Sequence, residues 1–188
     1  MSIPRFTPER TAVLMIDMQQ NLLPAIYDYQ SVEHQVGRLL DGAAALHLPL
    51  LATEQYVKGL GPTVPSIASR LTSPNAKLLL KQEKMHFSAA TVEVRQALAS
   101  QGIGHVLVCG IETHVCVLQT CLDLAASGIV TGVVVDAVGS RRELDRNVAL
   151  SRLTQAGIIP VTVEMALLEL TRQAGTPAFK ALLPIIKN

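Results

Sequence analysis

Short runs of consecutive apolar residues alternate along the chain with longer stretches in which apolar positions return every three or four residues. The short runs cover residues 11–17, 48–55, 77–81, 105–110, 131–136 and 159–163. Near-continuous apolar character over strand length predicts strands covered on both faces, as in parallel sheets. Between them, residues 32–46, 91–100, 113–126, 143–156 and 165–173 carry the helical period. Gly102, Gly128 and Gly157 follow three of these stretches at C-cap positions. The alternation predicts an α/β fold, a doubly wound, mostly parallel six-stranded sheet with helices on both faces.

Two segments break the pattern. Residues 56–75 contain Gly59, Gly61, Pro62, Pro65 and Pro74, too many breakers for a regular crossover helix, so a long surface loop near the site is expected. The tail, residues 176–188 with Pro177 and Pro184, reads as either a short docking helix or an oligomer contact. No internal repeat, low-complexity tract or linker is visible, so residues 1–188 are expected to form one domain, long enough to enclose a substantial core.

Composition narrows the function classes. Hydrophobic residues make up 49%, the formal net charge is +1, and no basic run resembles a nucleic-acid-binding arm. Three cysteines without a CxxC spacing suggest neither a disulfide framework nor a zinc ribbon, which fits a reducing compartment. The first six residues, Met1 to Phe6, lack a signal-peptide core, and no uncharged stretch reaches the roughly 18 residues of a membrane span. A soluble, cytoplasmic protein with no membrane or nucleic-acid partner is expected.

Three residues stand where chemistry is expected, beyond the carboxyl ends of strands in an open α/β sheet. Asp17 ends the first apolar run, where it either caps the turn Met18-Gln19-Gln20-Asn21 or accepts a proton from a neighbour. Lys84 follows the third run, ahead of a helix that Ser88 could cap, and is either a solvated lysine or a cation holding a carboxylate ionised. Lys77 and Lys81 compete for that role but flank or lie in the strand. Cys116 lies in Gly110-Ile111-Glu112-Thr113-His114-Val115-Cys116, where the fourth run turns into a helix at a glycine. A helix N-terminus favours a thiolate and can hold an oxyanion, whereas Cys109 and Cys121 read as core residues.

Taken together, Ile16-Asp17-Met18-Gln19, Lys84-Met85-His86-Phe87-Ser88 and Gly110 to Cys116 resemble the isochorismatase-like cysteine hydrolases over nearly the whole chain. The stretch Thr53 to Thr63 is similar to the isochorismatase domain-containing branch. The resemblance implies a Cys116–Asp17–Lys84 triad: Asp17 takes the thiol proton, Lys84 orients and neutralises Asp17, and a thioester forms on Cys116. It also implies a cis Ile111-Glu112 peptide, with the backbone N–H groups of Glu112 and Cys116 facing the oxyanion. Nicotinamidases of the superfamily hold a metal with an Asp and two His near the end of the second strand. Here that place reads Leu51-Ala52-Thr53-Glu54-Gln55-Tyr56, so neither a metal nor another cofactor is expected.

The expected function is metal-independent hydrolysis of a small amide or related C–N bond. A non-catalytic small-molecule-binding or scaffolding role, or isochorismate-type enol ether hydrolysis, are the alternatives. Gln19, Gln55, Tyr56, His86 and Thr113 adjoin strand ends or the three motifs and are the candidate substrate-binding groups. His34, His47, His105 and His114 have no metal-ligand spacing. Family analogy and the apolar tail suggest a homo-oligomer, a dimer or larger.

Overall fold

The structure is a computed structural model that describes residues 4–187. The reading of the first residues as lacking a leader therefore falls, for Met1, Ser2 and Ile3, outside the described residues, as does Asn188 of the tail. Strands β1 (Thr11–Ile16), β2 (Pro49–Gln55), β3 (Lys77–Lys84), β4 (His105–Ile111), β5 (Val130–Gly139) and β6 (Ile159–Val161) form one sheet in the order β3-β2-β1-β4-β5-β6. All five pairings are parallel, which sharpens the expectation of a mostly parallel sheet.

Helices α1 (Tyr29–Ala45), α2 (Val57–Leu60), α3 (Pro65–Leu71), α4 (Val92–Ser100), α5 (Leu118–Ala126), α6 (Glu143–Gln155), α7 (Val163–Thr171) and α8 (Pro177–Ile186) connect and cover the strands. Alternation along each strand divides the core between the two faces. Val13 and Met15 of β1 join Val36 and Leu40 of α1, Leu167 of α7 and Leu182 of α8. Ala12, Leu14 and Ile16 point the other way, toward Val94 and Leu98 of α4, Cys121 and Leu124 of α5 and Leu153 of α6. All six residues of β1 are buried, as a central strand with both faces covered requires. Each fully buried Leu, Ile or Val contributes about 1.5–3 kcal/mol.

The chain runs outward from β1 to β3, then returns to place β4 on the other side of β1. The order thus reverses between β1 and β4, and ligands of such sheets bind outside the carboxyl ends of the strands at that point. Gly110 allows the approach. Its φ is 108°, and a Cβ there would sit 2.0 Å from the Ile16 carbonyl oxygen and 2.7 Å from the Ile16 nitrogen.

Several boundaries differ from the sequence reading. Residues 56–75 are not one long loop, because α2 and α3 lie within them and α3 buries Ile67 and Leu71. Pro65 starts α3 at a position where its missing N–H costs nothing. Strand β3 runs on to Lys84 rather than ending at Lys81, and β5 extends to Gly139. The helix after β3 is capped by Thr91, whose hydroxyl accepts from the Val94 N–H, and not by Ser88. Strand β6 stops at Val161, since Thr162 caps α7 by accepting from the Met165 N–H. Of the two readings of the tail, the helix is observed: α8 docks on the chain's own core through Leu182, and Arg38 of α1 donates to the Ile185 and Ile186 carbonyls. Among the described residues no helix is long and apolar enough to cross a membrane.

Candidate active site

Asp17 follows β1 in the left-handed region, with φ of 54°. That conformation is costly for most side chains and tolerated by Asp. Its backbone N–H donates to the Thr53 carbonyl at 3.0 Å, which extends the β1–β2 ladder by one step. The carboxylate is fully buried and held on both oxygens. Thr53 Oγ1 donates to Oδ1 at 2.8 Å, and Lys84 Nζ donates to Oδ2 at 2.7 Å. The side chain is therefore committed to an ion pair rather than to capping the following turn.

Lys84 is as buried as its partner, with side-chain exposures of 2% and 0%. A buried charge needs its hydrogens satisfied. Besides Asp17, the ammonium meets Gln55 Oε1 at 2.7 Å, the Phe87 carbonyl at 3.0 Å and the His86 carbonyl at 3.3 Å. The last residue of β3 thus reaches across β2 to the end of β1. Lys77 is an exposed residue, and Lys81 pairs with Glu54 at 2.8 Å.

After β4, the Ile111-Glu112 peptide is cis. A π-helical turn over Thr113–Val117 then leads into α5. Its widened turn contains Cys116, which is 6% exposed. Burial, with the Asp17 carboxylate adding to it and the Lys84 ammonium opposing, pushes the Cys116 thiol up to about 12. Burial thus works against the thiolate that a helix N-terminus favours. Cys109 and Cys121 are fully buried, and burial alone raises both.

Thr53, Thr120 and Arg141, which sequence reasoning did not single out, complete the arrangement. Thr53 holds Asp17. Thr120 donates its hydroxyl hydrogen to the Cys116 carbonyl at 2.6 Å and accepts from the Ala89 N–H at 2.8 Å. The Glu112 carboxylate takes three bonds from Arg141, two from the guanidinium and one from the backbone N–H. The Glu112 N–H itself meets no protein acceptor among the described residues.

The candidate substrate groups are placed differently from one another. Gln19 is fully buried, and its amide donates to the Gln55 and Gly61 carbonyls and accepts from the Gln55 N–H. It is a clamp on the chain after β2, with no amide hydrogen left for a ligand. Gln55 is likewise engaged, by Lys84 and by the Met85 carbonyl. Tyr56 is 45% exposed at a φ of 38° and packs its ring over Gly59. His86 is exposed, and it is its carbonyl that serves Lys84. Thr113 is fully buried, and its hydroxyl has no partner among the described residues.

A metal of the nicotinamidase type does not fit the donors present. Glu54, the carboxylate near the end of β2, accepts from the Thr63 N–H, the Thr63 hydroxyl and Lys81. Burial alone would raise its pKa, but the bonds from Lys81 and Thr63 bring it below the ordinary carboxylate value. Among the described residues no group of three or more His, Cys, Asp or Glu side chains is placed to hold a metal ion. A cleft of about 1010 Å³ runs past Lys84, His86, Phe87 and Gln119, yet neither Asp17 nor Cys116 lines it. Chemistry is better marked by the thiol beside the buried ion pair than by the volume of this open groove.

Comparison with known proteins shows the family and the fold. Residues 11–165 match the family model described as the isochorismatase domain. Isochorismatase domain-containing protein 2A of Mus musculus is 38% identical over 187 residues, covering 100% of this chain and 87% of the relative. The structure described as the MAR1 ribonuclease of Caenorhabditis elegans superposes with a TM-score of 0.91 at 34% identity, over 98% of this chain and 93% of that one. YcaC from Pseudomonas aeruginosa, solved with hexane-2,5-diol and covalent acrylamide, superposes at 0.87 with 26% identity, again over 98% and 93%.

Proposed function

Because this chain belongs to the isochorismatase family, we propose that it is a cysteine hydrolase that cleaves a small amide or related C–N bond without a metal. The observation that carries the reading is a buried thiol, Cys116, in electrostatic contact with a buried Asp17–Lys84 ion pair at the sheet's switch point. The coupling makes chemical sense. A thiolate beside Asp17 is unfavourable while the carboxylate is charged, and becomes favourable once Asp17 has taken the proton.

In this mechanism the Cys116 proton moves to Asp17 as Sγ attacks the carbonyl carbon. Negative charge develops on the carbonyl oxygen, toward the backbone N–H groups of Glu112 and Cys116. Asp17 returns the proton to the departing nitrogen as the C–N bond breaks, leaving a thioester. Water then loses a proton to Asp17 and adds to the thioester, and Cys116 leaves as thiolate and recovers the proton. Lys84 keeps its position throughout and balances the charge on Asp17. Thr113 and His86 are the polar groups left to meet substrate, with Tyr56 at the rim, whereas Gln19 and Gln55 position the machinery.

The test is Cys116→Ala, expected to abolish turnover while circular dichroism and thermal unfolding stay those of the native chain. Substrates would be a panel of small amides, carbamoyl compounds and esters, with single-stranded RNA as a separate arm. Retained amide turnover in the alanine variant would sink the reading. A reactive thiol with no turnover on any substrate would support a binding role, and release of pyruvate from isochorismate would support enol ether hydrolysis. The covalent acrylamide on the Pseudomonas aeruginosa relative makes alkylating amides the natural first probes.

A further inference from the structure

We infer that Thr120 is a positioning residue that fixes the nucleophile turn against the loop holding Lys84, an inference that rests on the hydrolase reading above. Thr120 lies in α5, one turn after Cys116, and is fully buried. Its hydroxyl uses both of its functions. The hydrogen goes to the Cys116 carbonyl at 2.6 Å, and a lone pair receives the Ala89 N–H at 2.8 Å.

Ala89 closes the loop whose two preceding carbonyls, of His86 and Phe87, accept from Lys84 Nζ. A continuous path therefore runs from Asp17 through Lys84, the 86–89 loop and Thr120 to the residue that carries the nucleophile. The loop that holds Lys84 follows β3 and the turn that carries Cys116 follows β4, strands that are not neighbours in the sheet. Strand pairing alone leaves their side-chain groups with no direct register, since β2 and β1 stand between them. One hydroxyl supplies it. No apolar residue of the same shape could, because it would leave a buried N–H without an acceptor.

The consequence for chemistry is specific. Lys84 favours the ionised thiol, acting against burial and Asp17. Releasing the 86–89 loop removes the constraint on two of the four acceptors that hold its ammonium, so the cation loses its place relative to Cys116. The three cysteines provide the readout, since Cys121 sits beside Thr120 and both it and Cys109 are fully buried.

The experiment measures iodoacetamide labelling of each cysteine in the full chain by peptide mass mapping, under native conditions and with thermal unfolding monitored. In Thr120→Val, labelling of Cys116 should slow about tenfold, the change expected when an apparent thiol pKa rises by about one. Cys109 and Cys121 should stay protected, and Thr120→Ser should label Cys116 within about twofold of the native rate. Thr120→Ala removes the same two bonds without β-branching, and should show the same slowing if the valine variant folds poorly. Unchanged Cys116 labelling in a folded Val or Ala variant overturns the inference, and so does exposure of all three cysteines together, which would make Thr120 a general packing residue. If native Cys116 labels no faster than Cys109 and Cys121, the hydrolase reading fails first and this inference falls with it.

Discussion

Replacing Gly110 by alanine tests whether the site depends on the close approach of β1 and β4. Two costs apply. The first is conformational, because φ is 108° where L side chains are strained. The second is steric: the new methyl would lie 2.0 Å from the Ile16 oxygen, 2.7 Å from its nitrogen and 2.8 Å from its carbonyl carbon. All three are backbone atoms in the middle of a sheet, so no side chain can rotate away, and relief requires the two strands to part. Gly128 isolates the first cost, since its φ is 81° and nothing lies within 4 Å of a Cβ there. Gly128→Ala should therefore cost about 1 kcal/mol, and Gly110→Ala about 4 kcal/mol once overpacking is added. For a chain of this length those values correspond to Tm decreases of roughly 2–4 °C and 8–16 °C. Differential scanning calorimetry of the two variants at equal concentration reads the difference. Equal Tm decreases would refute the steric argument, and with it the claim that glycine is required for β4 to lie against β1.

Further predictions concern the buried charges and thiols. Lys84→Met strands the Asp17 carboxylate without a counter-ion and should cost about 3–5 kcal/mol, whereas Asp17→Asn leaves Lys84 with Gln55 and two carbonyls and should cost about 1–3 kcal/mol; urea midpoints that place the two variants level, or reverse them, would count against this geometry. Burial holds all three thiols neutral beyond the ordinary value of 9.0. Because the folded values are raised, their contribution is complete below about pH 9 and is lost as the pH climbs from there, where the unfolded chain releases its protons first. Each thiol should weaken the fold by up to about 1.4 kcal/mol per pH unit in that range. Denaturation midpoints at about pH 8 and 10.5 should separate, and should separate less in a Cys109→Ala variant; a flat profile would be evidence against buried neutral thiols.

The sheet was legible because its information is local. Strands such as residues 105–110 announce themselves by unbroken apolar character, and the glycine after Cys109 marked the turn into the nucleophile segment. Asp17 and Cys116 could be named because each ends or follows a strand, whereas Lys84 was chosen over Lys77 and Lys81 chiefly by the family resemblance of its motif. Helix α3 escaped notice because Pro65 reads as a breaker until Ile67 and Leu71 are seen to be buried four residues apart. The roles of Thr53 and Thr120 were beyond local reading altogether. Thr53 acts on a residue 36 positions away and Thr120 on one 31 positions away, so only the strand order brings either pair together. Gln19 shows the converse. Proximity to a motif made it a candidate ligand group, whereas its satisfied amide makes it part of the scaffold.

The order β3-β2-β1-β4-β5-β6 also has a meaning in time. Strands β1 to β3, made before β4, are contiguous in the sheet and lead to both Asp17 and Lys84. The cysteine arrives only with β4, which pairs along the opposite edge of β1. A growing chain thus holds both members of the Asp17–Lys84 ion pair before Cys116 has been made.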